Sequence, residues 1–263
     1  MKILCGLFLL VFVLFVGNSL AQTNLDALAD KIKNGKVEEK RDALFQIRNL
    51  ESAEASRVAI PALRDSSEIV RATAAFSVIF LPKEEAAQAL LPLLQDKYEL
   101  VRREAVYALG KVRNPSTVRS LIEILQKDKI LEVRNACAIA LGEIGDPGAV
   151  DALTQILKKA PAEKEEFLRR SAARSIGQIA LNLQIGEKPS LVETFPSFQS
   201  AVVVLIETLQ NGRESQDVKR EAAFALGAIR DKSAIPILQA NVNNKDYYLS
   251  EICKEALRKI STR

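Results

Sequence analysis

The chain has 263 residues, of which 48% are hydrophobic but only 5% aromatic, with no tryptophan, no histidine and three cysteines. It is long enough to bury a large core, and that core must be built from Ala, Leu, Ile and Val rather than from rings. The lack of histidine excludes Ser-His-Asp and Cys-His nucleophiles, imidazole-ligated metals and histidine pH switches. Three cysteines exclude a disulfide framework, and a net charge of +4 is too mild for a dedicated nucleic-acid tail.

Residues 1–21 read MKILCGLFLLVFVLFVGNSLA. Lys2 supplies a basic start, Ile3 to Val16 is an apolar run, and Ser19-Leu20-Ala21 puts small residues where a signal peptidase inspects them. The run is short for a bilayer span of about 20 residues. A secretory signal peptide cleaved after Ala21 is therefore expected, which makes the protein secreted or periplasmic; an N-terminal membrane anchor is the alternative. No membrane span is expected in the mature chain, residues 22–263.

The remainder repeats. Val101 to Val112 reads VRREAVYALGKV, Val133 to Ile144 VRNACAIALGEI, Leu168 to Ile179 LRRSAARSIGQI and Val218 to Ile229 VKREAAFALGAI. Weaker copies begin at Glu39, Val70 and Leu249. Anchored on the central small residue, the copies fall at Ala43, Ala74, Ala105, Cys137, Ala172, Ala222 and Cys253. Each has aliphatic residues four and seven places after the anchor, and most have a small one at three: one face of an amphipathic helix whose neighbours can approach closely. A second helical pattern lies between copies, as in AAQALLPLLQD ending at Asp96 and VRSLIEILQKD ending at Asp128. Asn114-Pro115-Ser116 and Asp146-Pro147-Gly148 turn the chain, the latter with a good N-cap before a proline at the first helical position. The expected fold is all-α: an α-solenoid of about seven antiparallel helix pairs, helix A then helix B.

The motif D-x-x-x-x-V-R, then A-x-x-A-L-G-x-I and a D-P turn, resembles the HEAT-like repeats named after phycobilisome lyases. The resemblance covers nearly all of residues 24–262. It implies an Asp–Arg ladder between repeats, here Asp65 with Arg71, Asp96 with Arg102 and Asp128 with Arg134. Lys40, Lys219 and Ser250 depart from the arginine position, and Arg48 and Arg258 from the glycine, as capping repeats would.

The residue two after each anchor should point away from the core, as should the residue two before it. These sets include Phe45, Phe76, Tyr107, Ile139, Arg174 and Phe224, and Arg41, Ala72, Arg103, Asn135, Arg170 and Arg220. Aromatic residues and arginine are enriched in interface hot spots. The stripe reads as a concave groove for a protein or peptide partner; the alternative is that the rings cover seams between helices. The 50-residue spacing between Ala172 and Ala222 implies an insertion loop near 181–197, whose Phe195 and Phe198 either pack it down or offer an anchor. A shorter excess at Ala160–Glu166 reads as a solvated turn. Cys137 and Cys253 share one buried slot three units apart, too far to pair, and are expected to be inert free thiols.

No catalytic constellation, metal cluster or Gly-rich phosphate loop appears, so no catalytic, cofactor-binding or metal residue is predicted. The leading expectation is a non-catalytic protein–protein interaction scaffold outside the cytoplasm. Two alternatives come with the resemblance: a bilin lyase-like, chromophore-handling enzyme, and a nucleic-acid-binding solenoid using arginines of the stripe. The expected export disfavours both, and the mild charge disfavours the second.

Overall fold

The structure is a computed structural model that describes residues 24–184 and 190–261. The expected signal segment, residues 1–21, lies outside them. Among the described residues there are fifteen α-helices and no strand. They follow the predicted alternation as seven helix pairs. The first pair is α1 (24–34) and α2 (Val37–Asn49), followed by α3 (Ala53–Ala59) with α4 (Glu68–Ser77) and α5 (Lys83–Leu90) with α6 (Glu99–Val112). Next come α7 (Val118–Lys127) with α8 (Leu131–Ile144), and α9 (Val150–Lys158) with α10 (Glu166–Leu183). In the sixth pair α11 (Leu191–Thr194) and α12 (Pro196–Gln210) together precede α13 (Gln216–Ile229), and the last is α14 (Ile235–Ala240) with α15 (Tyr247–Ser261). Two compact units, Met1–Ala105 and Val106–Arg263, divide within α6.

The anchors explain the aliphatic composition. Ala43, Ala74, Ala105, Cys137, Ala172, Ala222 and Cys253 are all fully buried, on the inner faces of the B helices. The aliphatic residue four places on is buried from Ile47 to Leu226 and half-buried only at Leu257 in the last repeat. At seven places the residue is buried except at Ile144, which is half-buried, and at Leu50, which caps α2 and is exposed.

The small residues set the spacing between B helices. In the second unit a Cβ on Gly142 would stand 2.7 Å from Ser175 Cβ, and one on Gly227 would stand 2.7 Å from Ala256 Cα. In both cases the glycine five after one anchor receives the residue three after the next. Serine at that second position adds a bond across the seam: Ser77 Oγ donates to the Leu44 carbonyl at 2.9 Å and Ser175 Oγ to the Ala138 carbonyl at 2.8 Å.

The turns form as their chemistry dictates. Asn114, Asp146 and Asp231 each accept a backbone N–H two residues on, opening the 3-10 turns that lead into α7, α9 and α14.

The D-x-x-x-x-V-R motif is a joint between helices. The Asp side chain accepts the N–H two residues on, as in Asp65 with Ser67, Asp96 with Tyr98 and Asp128 with Ile130. The arginine donates to carbonyls where the preceding helix A finishes, just past its 3-10 extension at Ile60–Arg64 or Leu91–Gln95 or in the last turn of α7: Arg71 to Asp65 and Ser66, Arg102 to Asp96 and Lys97, Arg134 to Leu125. Those carbonyls have no partner within their helix, and a cation there complements the helix dipole. The arginine then reaches the next repeat's acid, as Arg71 does to Asp96 at 2.7 Å.

Three expectations need correction here. Lys40 does not drop out of the ladder, because its ammonium bonds Asp65 at 2.6 Å and its longer, more flexible stem replaces the guanidinium fork. The insertion is not a loop over 181–197: α10 runs to Leu183, Leu191–Thr194 is a helical turn and Pro196 opens α12, with only 185–189 outside the described residues. The stretch Ala160–Glu166 is only partly a turn, since Glu163–Glu165 is a 3-10 helix, Glu166 starts α10 and Glu165 meets Arg134 at 3.6 Å.

The ladder makes stability depend on acid. Burial pushes the Asp65 carboxyl up, but bonds from Lys40 and the Ser67 N–H outweigh it and hold the group below its ordinary value. Asp96 is held down likewise, by Arg71 and the Tyr98 N–H against its burial. A carboxyl with a depressed folded pKa binds fewer protons folded than unfolded, so its contribution is complete above the unfolded value of about 3.9 and is lost as pH falls through the folded one. The urea midpoint should therefore fall steeply below about pH 4, and Asp96→Asn should flatten that slope while lowering stability at pH 7. An unchanged slope in the variant would remove Asp96 from the account.

Candidate protein-binding face

Each unit presents rings and arginines on the helix-B side. In the first unit Phe45 on α2 is 47% exposed, and Phe76 on α4 is half-buried with the Arg48 guanidinium 5.0 Å above its ring. Arg41 and Arg103 are half-buried, and Arg103 meets Glu104 at 3.3 Å. Ala72 departs from the expectation: it is buried, because a methyl group is too short to leave the packed surface.

In the second unit Tyr107, Ile139, Asn135 and Phe224 are half-buried and Arg174 is exposed. Phe224 lies over Gly177, where an added Cβ would stand 2.6 Å from the ring. This ring therefore covers a helix–helix seam while keeping part of its face in solvent, so the two readings of the stripe meet in one residue. Arg174 stacks over Phe224 at 5.9 Å and bonds Glu221 at 3.2 Å. Arg170 stacks over the exposed Phe167 at 5.3 Å and reaches Asp217 at 3.5 Å. Arg220 bonds Asp217 at 2.7 Å and Asp246 at 2.6 Å, and lies 5.2 Å from the Tyr248 ring. A cleft of about 370 Å³ opens between α8, α10 and α13, with Arg170, Arg174, Ser171 and Glu221 in its walls.

Sequence reasoning missed the acids that hold these arginines, since they come from neighbouring repeats. It also missed Phe167, Tyr247 and Tyr248, all well exposed near the starts of α10 and α15. The recurring signal for these rings was their place five or six residues before an anchor. The cysteines fall as expected: Cys137 and Cys253 are free and buried, and burial pushes both thiols up, Cys253 to about 11, away from nucleophilic character.

The model for HEAT repeats matches residues 25–110 and 87–177, more than half of the chain. The chain belongs to the HEAT-repeat family. A second model, the PBS lyase HEAT-like repeat, matches residues 218–244. Among solved structures, this HEAT-repeat chain is similar to the complex of CpcE and CpcF of phycocyanin lyase from Nostoc, at 19% identity and a TM-score of 0.51, over 89% of this chain and 86% of that one. It is also similar to human deoxyhypusine hydroxylase in complex with glycerol, at 20% identity and a TM-score of 0.44, over 94% of this chain and 99% of that one. Among curated proteins, none matches. At such identities the likeness to the lyase complex shows the fold alone. Among the described residues no group of His, Cys, Asp and Glu could hold a metal ion, and no helix is long and apolar enough to cross a membrane.

Proposed function

We propose that this HEAT-repeat protein is a non-catalytic scaffold that binds a protein partner through its helix-B face, and that it works outside the cytoplasm. The observation that carries the reading is made in each unit by itself: partly exposed rings and arginines on B helices, Phe45, Phe76 and Arg103 in the first unit and Tyr107, Arg170, Arg174, Arg220 and Phe224 in the second. Aromatic residues bury much area, and together with arginine they are enriched in interface hot spots. Pairing to acids holds Arg170, Arg174 and Arg220 in place before a partner arrives, which favours binding by preorganisation. The same pairing disfavours nucleic acid, because arginines already neutralised by Asp217, Glu221 and Asp246 release few counterions from a phosphate backbone. Export rests on residues 1–21 of the sequence.

The test is cross-linking capture from the extracytoplasmic compartment, with wild type beside Phe76→Ala plus Tyr107→Ala. Both rings are half-buried, so helicity should be retained while recovery of the partner is lost. Undiminished recovery of the same partner by the double variant would overturn the reading.

A further inference from the structure

Two arginines on the helix-B side of the first unit stand apart from the rest. Arg103, Arg170, Arg174 and Arg220 each meet a carboxylate. Arg41 and Arg48 have no carboxylate partner among the described residues. Arg41 Nε is buried without a hydrogen bond, and Arg48 engages the face of the Phe76 ring. The acids nearest them in sequence are committed or out of reach: Glu39 accepts the Lys36 backbone N–H, Asp42 accepts from Gln46, and the exposed Glu38 and Glu51, three residues from Arg41 and Arg48 respectively, are not within ion-pair distance.

The two arginines bracket Phe45. Arg41 lies four residues before it and Arg48 three after, so all three occupy one face of α2. That face therefore presents two cations without counter-charges and one exposed ring, with the Phe76 ring beside Arg48. A guanidinium without a counter-charge is a ready partner for an arriving carboxylate, through charge-assisted bonds from its outer Nη groups. The complement is a ligand with two carboxylates and an apolar group between them.

We propose that α2 carries a recognition site for an acidic–apolar peptide segment of the partner, with carboxylates taken by Arg41 and Arg48 and an apolar side chain laid on Phe45. This rests on the helix-B face being the partner surface, and it adds the partner's chemistry. Seven residues of helix rise by about 10.5 Å. An extended strand puts alternate side chains on one face, about 13 Å apart at four positions, so the fitting segment has acids four positions apart with an apolar residue midway between them, and the long Glu and Arg side chains take up the difference.

The probe is a fluorescein-labelled peptide carrying Glu-Ser-Leu-Ser-Glu between Gly-Ser flanks, with Lys-Ser-Leu-Ser-Lys as its counterpart, titrated against the full chain by fluorescence polarisation. The acidic probe should saturate and the basic one should bind at least about tenfold more weakly. Arg48→Glu and Phe45→Ala, both at exposed positions, should each weaken the acidic probe about tenfold or more. Arg119→Glu, at an exposed position on helix A, should leave it unchanged. The site is overturned if the acidic probe does not saturate, if the two probes bind alike, or if Arg119→Glu weakens binding as much as Arg48→Glu. It is also overturned, with the scaffold reading left standing, if capture of the partner is lost in Phe76→Ala plus Tyr107→Ala yet unaffected by Arg48→Glu.

Discussion

Glu214→Ala is expected to cost about 3–5 kcal/mol of stability, because it strands a buried guanidinium. Arg169 and Glu214 are each about 2% exposed, and Arg169 Nε and Nη2 both donate to the carboxylate. Arg169 also donates to the carbonyls of Ile156, Lys159 and Leu157, closing the C-terminal end of α9. Removing Glu214 leaves that cap intact but takes away the only carboxylate that bonds this guanidinium among the described residues. A charge of this size cannot return to water without dismantling the joint between the fifth and sixth repeats. The direct check is urea unfolding of the variant at pH 7. The double replacement Arg169→Met plus Glu214→Leu separates the causes. It removes both charges, so it should recover part of the loss, and it should fall short of wild type because the α9 carbonyls lose their donor. A double variant no more stable than Glu214→Ala would mean that the cap, rather than the stranded charge, dominates.

The same pair shows where sequence reading reaches and where it stops. The seven anchors, the alternation of helices and the small residues at the seams were legible, because each follows from a 3.6-residue period that the chain repeats. The ladder was legible only where acid and arginine keep constant spacing, as from Asp65 and Arg71 to Asp96. In the fifth repeat the acid slides to Glu165 and in the sixth to Glu214, because a rung requires only that a carboxylate lie within reach of the guanidinium. Arg169 stood in the V-R position of its copy, yet its partner lies 45 residues away across the enlarged sixth repeat. The face was half legible for a related reason. Helical phase tells which way Phe45 or Arg174 points, but not that Glu221 on the next B helix will meet Arg174. Nor does it tell that Arg41 and Arg48 will be left without an acid. Pairing across repeats is a property of the stack, and a period within one repeat does not contain it.

Phe198→Ala is expected to cost a further about 3–5 kcal/mol in its own right, through the cavity left by a large buried ring. Phe198 is fully buried in the first turn of α12, with Phe195 packed edge-on at 6.3 Å. Pro196 stands between them at the first position of the helix, where its missing N–H costs nothing and its fixed φ favours entry. The two rings therefore pack the start of α12 onto the core, and the apolar surface they bury offsets the entropy of ordering residues 191–195 before it. Because each repeat contacts chiefly its neighbours, the damage should remain local. Hydrogen exchange should quicken first in α11 and the start of α12, with α7 and α8 protected as before. Phe195→Ala, at a half-buried ring, should cost less than Phe198→Ala. Equal costs would mean that the insertion is held by the ring pair as a unit, whereas a negligible cost for Phe198→Ala would mean that α12 is held by its aliphatic face alone, through Leu205 and Leu209.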